Sequence, residues 1–460
     1  MKHCIVQGRR KCGESNHLFI IIKIMNEDNF VNIGEVMHGL ATRLWPINRS
    51  LTGNGVRETL NILQETLPDL VIHEVESGTK AFDWIVPNEW NIHSAWISDE
   101  NGDKVIDFGK NNLHVVGYSE PVDLWLSLEE LKKYLYSIPE NPEAIPYITS
   151  YYSRRWGFCL SHNQLMRLKP GLYHVVINSE IKLGSLTYGE LLIQGKLEKE
   201  VLLSTYICHP SMGNNELSGP VVLNALAQWI SSLLDRKYTY RIVFLPETIG
   251  SLVYLSRHLD YLKCNVIAGY NITCVGDDKA YSYLPSRNGK TLSDIVAKHV
   301  LKHTDPEFKI YTWLDRGSDE RQYCAPGVDL PIATISRSLY FKYPEYHTSL
   351  DDLKFITPNG LEGGFIALKR AIECIENNCV PMLKTIGEPQ LGRRGLYPTL
   401  STKDTIDEVR VMMDFMSYCD GTKNLIEISD LIDQPHWIVS PIFSNLLKHN
   451  LIEIIDKSII

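Results

Sequence analysis

The chain has 460 residues, enough for one to three domains and a large buried core. At 44% hydrophobic and 22% charged residues it has the make-up of an ordinary globular protein. A net charge of −9 and a pI near 5.9 weigh against a surface built for nucleic acid or anionic membrane. The 10 cysteines contain no CxxC pair, which excludes a zinc ribbon and offers no disulfide framework. A reducing, cytoplasmic setting is the expectation.

Residues 1–30 hold one short apolar run, HLFIIIKIM, broken by Lys23 and too short to span a bilayer. No small-residue cleavage site follows it, so a disordered tail is expected, with Met25 as an alternative start. A first helix is predicted over EVMHGLATRLWPINRS, and a second follows the glycines of LTGNGVRETLNILQETL. The texture then changes. From 70 to 118, short β-type runs (VIHEVES, AFDWIVP, NIHSAWISD, KVIDF, HVVGYS) are separated by turns, predicting a compact β-rich insertion. A helix over LSLEELKKYLYSI comes next.

From 147 to 382 strands and helices alternate. The strands LYHVVINSEI, GELLIQG, EVLLSTYIC, YRIVFLPE, VIAGYNITCVG and PIATISR are interleaved with amphipathic helices, which predicts an α/β sheet covered on both faces. The expected division is an α/β domain over 31–69 and 119–382, the insertion at 70–118, and a C-terminal domain over 383–460. In that last part, short helices and a closing β-type segment predict a winged-helix shape. From residue 391 onward, however, 7 basic residues face 10 acidic ones, whereas a phosphate reader should be basic. Packing or homo-oligomerisation is the expected role, with no nucleic-acid or membrane partner.

Five clusters carry candidate chemistry, four of them at the ends of apolar strands, where ligands collect in open α/β sheets. In CHPSMGNNELSGP, a strand ends at Cys208, His209 follows it and Glu216 precedes a helix, an imidazole and carboxylate suited to zinc. In YRIVFLPETIGS, Glu247 ends a buried strand, a position that suits a general base toward water. CVGDD places Asp277 and Asp278 at the end of a third strand. WLDRGSDERQY packs Asp315, Arg316, Asp319, Glu320 and Arg321 together, and Arg316 or Arg321 would clamp a substrate carboxylate. In YFKYPEYHTSLDDL, Tyr346 and His347 precede Asp351 and Asp352, which would orient His347 through its second nitrogen. Each cluster alone also has an ordinary reading as a cap, turn or solvated loop.

The order His209, Glu216, Glu247, Asp277, His347 resembles that of the co-catalytic zinc exopeptidases. More closely, WPINRSLTGNGVRETL, YYSRRWGFC, CHPSMGNNELSGP, LPETIGS, GSDERQY and YHTSLDDL resemble a family of bacterial aminopeptidase-like proteins with a β-rich insertion and a C-terminal winged helix. The resemblance implies a phosphorylase/hydrolase-like zinc-exopeptidase sheet, His209 and His347 as ligands, Asp277 as carboxylate ligand and Glu247 as base. It departs twice. The aspartate that bridges two metals falls on neutral Asn215, with Glu216 expected to reach round in its place, and the carboxylate expected after Glu247 is Thr248. One zinc rather than two is therefore expected, with Arg316, Asp319, Arg321 and Tyr346 toward the substrate. Two functions follow as expectations. One is a metal-dependent aminopeptidase or amidohydrolase acting on a peptide or modified amino acid. The other is a catalytically degenerate scaffold in polysaccharide or metabolite assembly.

Overall fold

A computed structural model of the chain describes residues 32–396 and 403–455. The expected tail at 1–30 lies outside them. Eight strands form the main sheet: β1 (Val71–Glu76), β6 (Ser185–Ile193), β7 (Leu197–Tyr206), β8 (Tyr238–Leu245), β9 (Val266–Asn271), β10 (Ser282–Leu284), β11 (Lys309–Ile310) and β12 (Ile332–Ser336). Their spatial order is β1-β6-β8-β7-β9-β12-β10-β11. β8, β7, β9 and β12 run parallel at its centre. Every residue of β8 is buried, as its continuous apolar run requires of a strand covered on both faces.

Two apolar layers cover the sheet. On one face pack α1 (Ile33–Leu44), α2 (Asn54–Gln64), α3 (Ser218–Ser232), α5 (Leu292–Thr304) and α6 (Pro358–Asn377). On the other packs α4 (Ile249–Asn265). α3 starts close against the sheet: a Cβ at Gly219 would press on Thr205 Oγ1 and the carbonyl oxygen of Ile272.

The β-rich part differs from the expected 70–118 segment. β1 leaves it to pair antiparallel with β6 at the edge of the main sheet. The small sheet is instead β2 (Glu89–Ser98), β3 (Lys104–Asp107), β4 (Val122–Ser127) and β5 (Leu172–Lys182), in the order β3-β2-β5-β4. It therefore closes with β5, a strand expected in the α/β domain. The helix expected at LSLEELKKYLYSI is a single turn, Leu128–Leu131, capped by Ser127 and Glu130. After it Leu135–Tyr136 pairs with Phe158–Cys159.

The C-terminal domain has α7 (Lys403–Ser417), α8 (Leu425–Leu431) and α9 (His436–Lys448), with Phe415, Leu425, Ile428, Val439 and Leu446 in its core. β13 (Val380–Leu383) pairs antiparallel with β14 (Ile452–Ile455), so the domain takes its first strand from residues before 383. Among the described residues no helix is long and apolar enough to cross a membrane.

Candidate metal centre

The site is assembled from two strand ends and one loop. β7 runs through Tyr206 into His209, and a wide helical turn, Gly213–Leu217, then leads to α3. Asp351 pins that turn by accepting the backbone N–H groups of Asn214 (2.6 Å) and Asn215 (2.9 Å). β8 delivers Glu247, whose N–H donates to Cys208 Sγ at 3.2 Å. The loop after β12 delivers His347. Non-glycine residues with positive φ flank all three: Ser211 (29°), Thr248 (63°) and His347 (54°). Such backbone costs about 1–3 kcal/mol each and collects where a side chain must be aimed.

His209 sits at the centre. Its Nδ1 lies 3.0 Å from Glu216 Oε2, and its Nε2 lies 3.7 Å from Glu247 Oε2. The rings of His209 and His347 are 5.5 Å apart, and Tyr147 meets both edge-on. His347 Nε2 is 3.1 Å from Asn215 Oδ1, while Tyr346 stacks on the His347 ring at 3.9 Å. Behind Asn215 the chain of contacts is neutral: its Nδ2 donates to Tyr206 OH (2.8 Å), which meets Thr273 Oγ1 at 2.5 Å.

Arg49 lies in none of the five clusters. It is fully buried, its Nε donates to the His209 carbonyl at 3.0 Å, and the same nitrogen lies 3.2 Å from Glu216 Oε1. Nothing in WPINRS marks this arginine as a site residue, because its partners lie some 160 residues along the chain.

Burial opposes charge on His209, but Cys208 and Glu216 beside it outweigh that and hold it well above the usual histidine range. The Cys208 thiol is itself pushed up to about 11 by burial and stays neutral, so the charge that favours the imidazolium is that of Glu216. His347 moves the other way, to about 3, through burial and the neighbouring His209, which keeps its ring neutral. Burial raises Glu247 above the ordinary carboxylate range, with His209 and Arg321 opposing. Burial and Glu247 raise Asp319 to about 7.

Of the sequence candidates, His209, Glu216, Glu247 and His347 converge. Asp277 requires a correction. Its oxygens accept from Asn214 Nδ2 (2.9 Å), the Ser338 N–H (2.8 Å), Ser338 Oγ (2.8 Å) and the Lys279 N–H (2.9 Å). A carboxylate saturated by neutral donors has little to offer a cation. Asp278 bonds Thr357 and Asn359 instead. Asp351 holds the Gly213–Leu217 turn rather than orienting His347, whose described hydrogen bond runs to Asn215. Glu216 faces Nδ1 and Arg49, so it stands behind the His209 ring rather than on the pocket side. Arg316 is exposed and lies over Trp313, away from these groups. Arg321 is half-buried and donates to Thr248 Oγ1 at 3.1 Å, and Asp319 accepts from the Thr248 N–H and Ser251. Arg321, Tyr346 and His347 are partly exposed and mark the open side.

Around His209, two donor groupings could take a cation. Cys208, His209 and Glu216 lie with their donor atoms within 4.8 Å, but the Arg49 guanidinium already sits against that carboxylate. The opposite side offers His209 Nε2, His347, Asn215 Oδ1 and Glu247. Ligands about 2.0–2.2 Å from zinc at tetrahedral angles stand roughly 3.3–3.6 Å apart, and His347 Nε2 and Asn215 Oδ1, at 3.1 Å, come near that spacing. Two imidazoles and an amide oxygen could hold one zinc, with Glu247 left free beside them. With a single pocket-side carboxylate, they do not fit two ions.

Residues 38–378 match the family described as Domain of unknown function (DUF4910), and residues 379–454 match a winged helix-turn-helix. A Clostridium acetobutylicum protein, provisionally named as a polysaccharide biosynthesis protein with an aminopeptidase-like domain, is 44% identical over 404 residues. The match spans 87% of this chain and 92% of that one. A solved structure from the same organism, for which a peptidase has been suggested, superposes with a TM-score of 0.86 at 40% identity, over 95% of this chain and 99% of that one. The zinc aminopeptidase BSAP of Bacillus subtilis reaches 0.53 at 11% identity, over 76% and 96%. A Shewanella amazonensis M28 peptidase precursor reaches 0.51 at 14%, over 78% and 98%. These last two likenesses establish the aminopeptidase fold alone.

Proposed function

The chain belongs to the DUF4910 family, and from that premise we propose that it is a single-metal hydrolase on the aminopeptidase fold, cleaving an amide bond in a peptide or small modified molecule. One observation carries this reading: His209 turns Nε2 toward Glu247 at 3.7 Å, beside a second imidazole held neutral. Zinc would be held by His209, His347 and Asn215 Oδ1, where it supplies Lewis acidity toward a carbonyl and a water. Glu247, raised by burial, is suited to take a proton at Oε2 and return it to the departing nitrogen. Tyr147 meets both imidazoles edge-on and Tyr346 stacks on His347, which fixes the planes of the rings. Arg321, beside Thr248 on the open side, would receive an anionic group of the substrate. The name of the Clostridium relative suggests a substrate from polysaccharide assembly, such as an acylated amino sugar.

A specific observation favours a second reading, a binding protein without turnover. The Asn215–Tyr206–Thr273 chain is neutral throughout, so half of the pocket lacks the charge that a second metal needs. An assay separates the two. Zinc-loaded protein is offered aminoacyl anilides, short peptides and N-acylated amino sugars, and released amine is measured. Release that disappears in Glu247→Gln, with zinc still bound, supports the hydrolase. One bound zinc with no amine released from any of these classes supports the binding protein.

We further propose that the C-terminal domain docks on its own chain and not on DNA. α9 occupies the place of a recognition helix, whose N-terminal residues would meet base edges. Here those residues are spent on the α/β body: His436 is buried, its N–H donating to His299 Nε2 at 2.9 Å, and Trp437 packs under Arg370 at 3.9 Å.

A further inference from the structure

Burying a guanidinium is costly unless something repays it. Arg49 comes from the loop between α1 and α2, and its anchors are specific. Nη1 donates to the Leu44 carbonyl at 2.9 Å and reaches Thr59 Oγ1 at 3.5 Å, which fixes the planar group within its own segment. Nε faces outward from that segment. It donates to the His209 carbonyl at 3.0 Å and lies 3.2 Å from Glu216 Oε1, while Glu216 Oε2 sits 3.0 Å from His209 Nδ1. Arg49 thus holds His209 at both ends, directly through the backbone and by way of Glu216 through the ring. A guanidinium needed only to join two segments would have no reason to meet the ring's own partner.

We infer that Arg49 is a positioning residue for this site: it braces Glu216 against Nδ1 of His209, so that the ring presents Nε2 to the pocket. In metal sites such outer groups set the tautomer and orientation of the ligand, and losing one typically costs 10–100-fold in affinity. Glu216 is then neither ligand nor base, and its charge is answered by Arg49. The inference rests on the single-metal reading only for its consequence in affinity. The arrangement of the ring does not depend on it.

Two measurements test this. Nuclear magnetic resonance of histidine-15N-labelled, metal-free protein reads whether the Nδ1 proton of His209 is observed and protected from exchange. Competition with a chelator reads the zinc Kd. The variants are Arg49→Lys, Arg49→Met, Glu216→Gln and the double Arg49→Met/Glu216→Gln, which removes both charges and guards against a single variant that fails to fold. Wild type and Arg49→Lys are expected to show the protected Nδ1 proton and zinc Kd values within about threefold of each other. In folded Arg49→Met or the double variant, the proton should exchange rapidly and the Kd should rise roughly 10–100-fold with the bound ratio unchanged. A protected Nδ1 proton in the double variant, or an unchanged Kd there, would overturn the inference. If wild type binds no zinc yet loses the protected proton in the double variant, the metal reading fails and the role of Arg49 stands.

Discussion

At the scale of single residues, Asn215 decides how much positive charge the pocket accepts. Its Oδ1 faces His347 and its Nδ2 is committed to Tyr206. Replacing it by aspartate adds an anion to a donor set that is otherwise neutral, and Tyr206 can turn its hydroxyl to donate. Asn215→Asp should therefore tighten zinc binding by tenfold or more, about 1.4 kcal/mol, as measured by chelator competition. An equal or weaker affinity would mean that this side chain does not face the cation. The residues legible in the sequence were those whose position alone was odd: His347 follows a proline and two aromatic residues, and His209 and Glu247 are polar groups just past strand ends. Asp277 shares that position, and only its four neutral donors show that it is structural. Arg49 could not be read at all, since its role depends on a pairing with a distant loop.

At the scale of elements, close approach and joints set the constraints. Gly219 opens α3 against β7 and the residue that follows β9, so Gly219→Ala forces backbone apart and should cost about 1–3 kcal/mol. Urea unfolding with an unchanged m-value and a lower midpoint would show it, and an unchanged midpoint would contradict the packing described. The joint between α5 and the winged helix is sensitive to acid. His299 meets Asp430 at 2.6 Å, and burial together with His299 lowers His436 to about 4, while Lys302 and Asp433 pair nearby. The unfolded chain, with a histidine pKa near 6.5, binds the proton first on acidification. Stability from His436 is therefore complete above about pH 6.5 and lost as pH falls toward 4, at most about 3 kcal/mol. Thermal unfolding between pH 7 and 4.5 should fall more steeply in wild type than in His436→Leu, and identical slopes would refute the assignment. Sequence patterning identified the long amphipathic helices because their period extends over several turns. It misassigned β1 and β5 between sheets because alternation reveals a strand but not its partner. LSLEELKKYLYSI has a helical period, yet Leu135 and Tyr136 are taken by the pairing with Phe158 and Cys159.

At the scale of the whole molecule, the α/β body carries the strand ends and supplies the surface on which α9 rests, so the chain behaves as a pocket with an attached, inward-facing winged helix. The sheet order and both apolar layers exist to bring β7, β8 and the loop after β12 to one rim, where His209, Glu247 and His347 meet. The central claim is that this rim holds one metal ion, because Arg49 neutralises one carboxylate and Asn215 replaces another. Elemental analysis of protein prepared without chelators and equilibrated with zinc tests this most directly. The account predicts one zinc per chain in wild type and none in His209→Ala. No zinc in wild type, or two per chain, would contradict it.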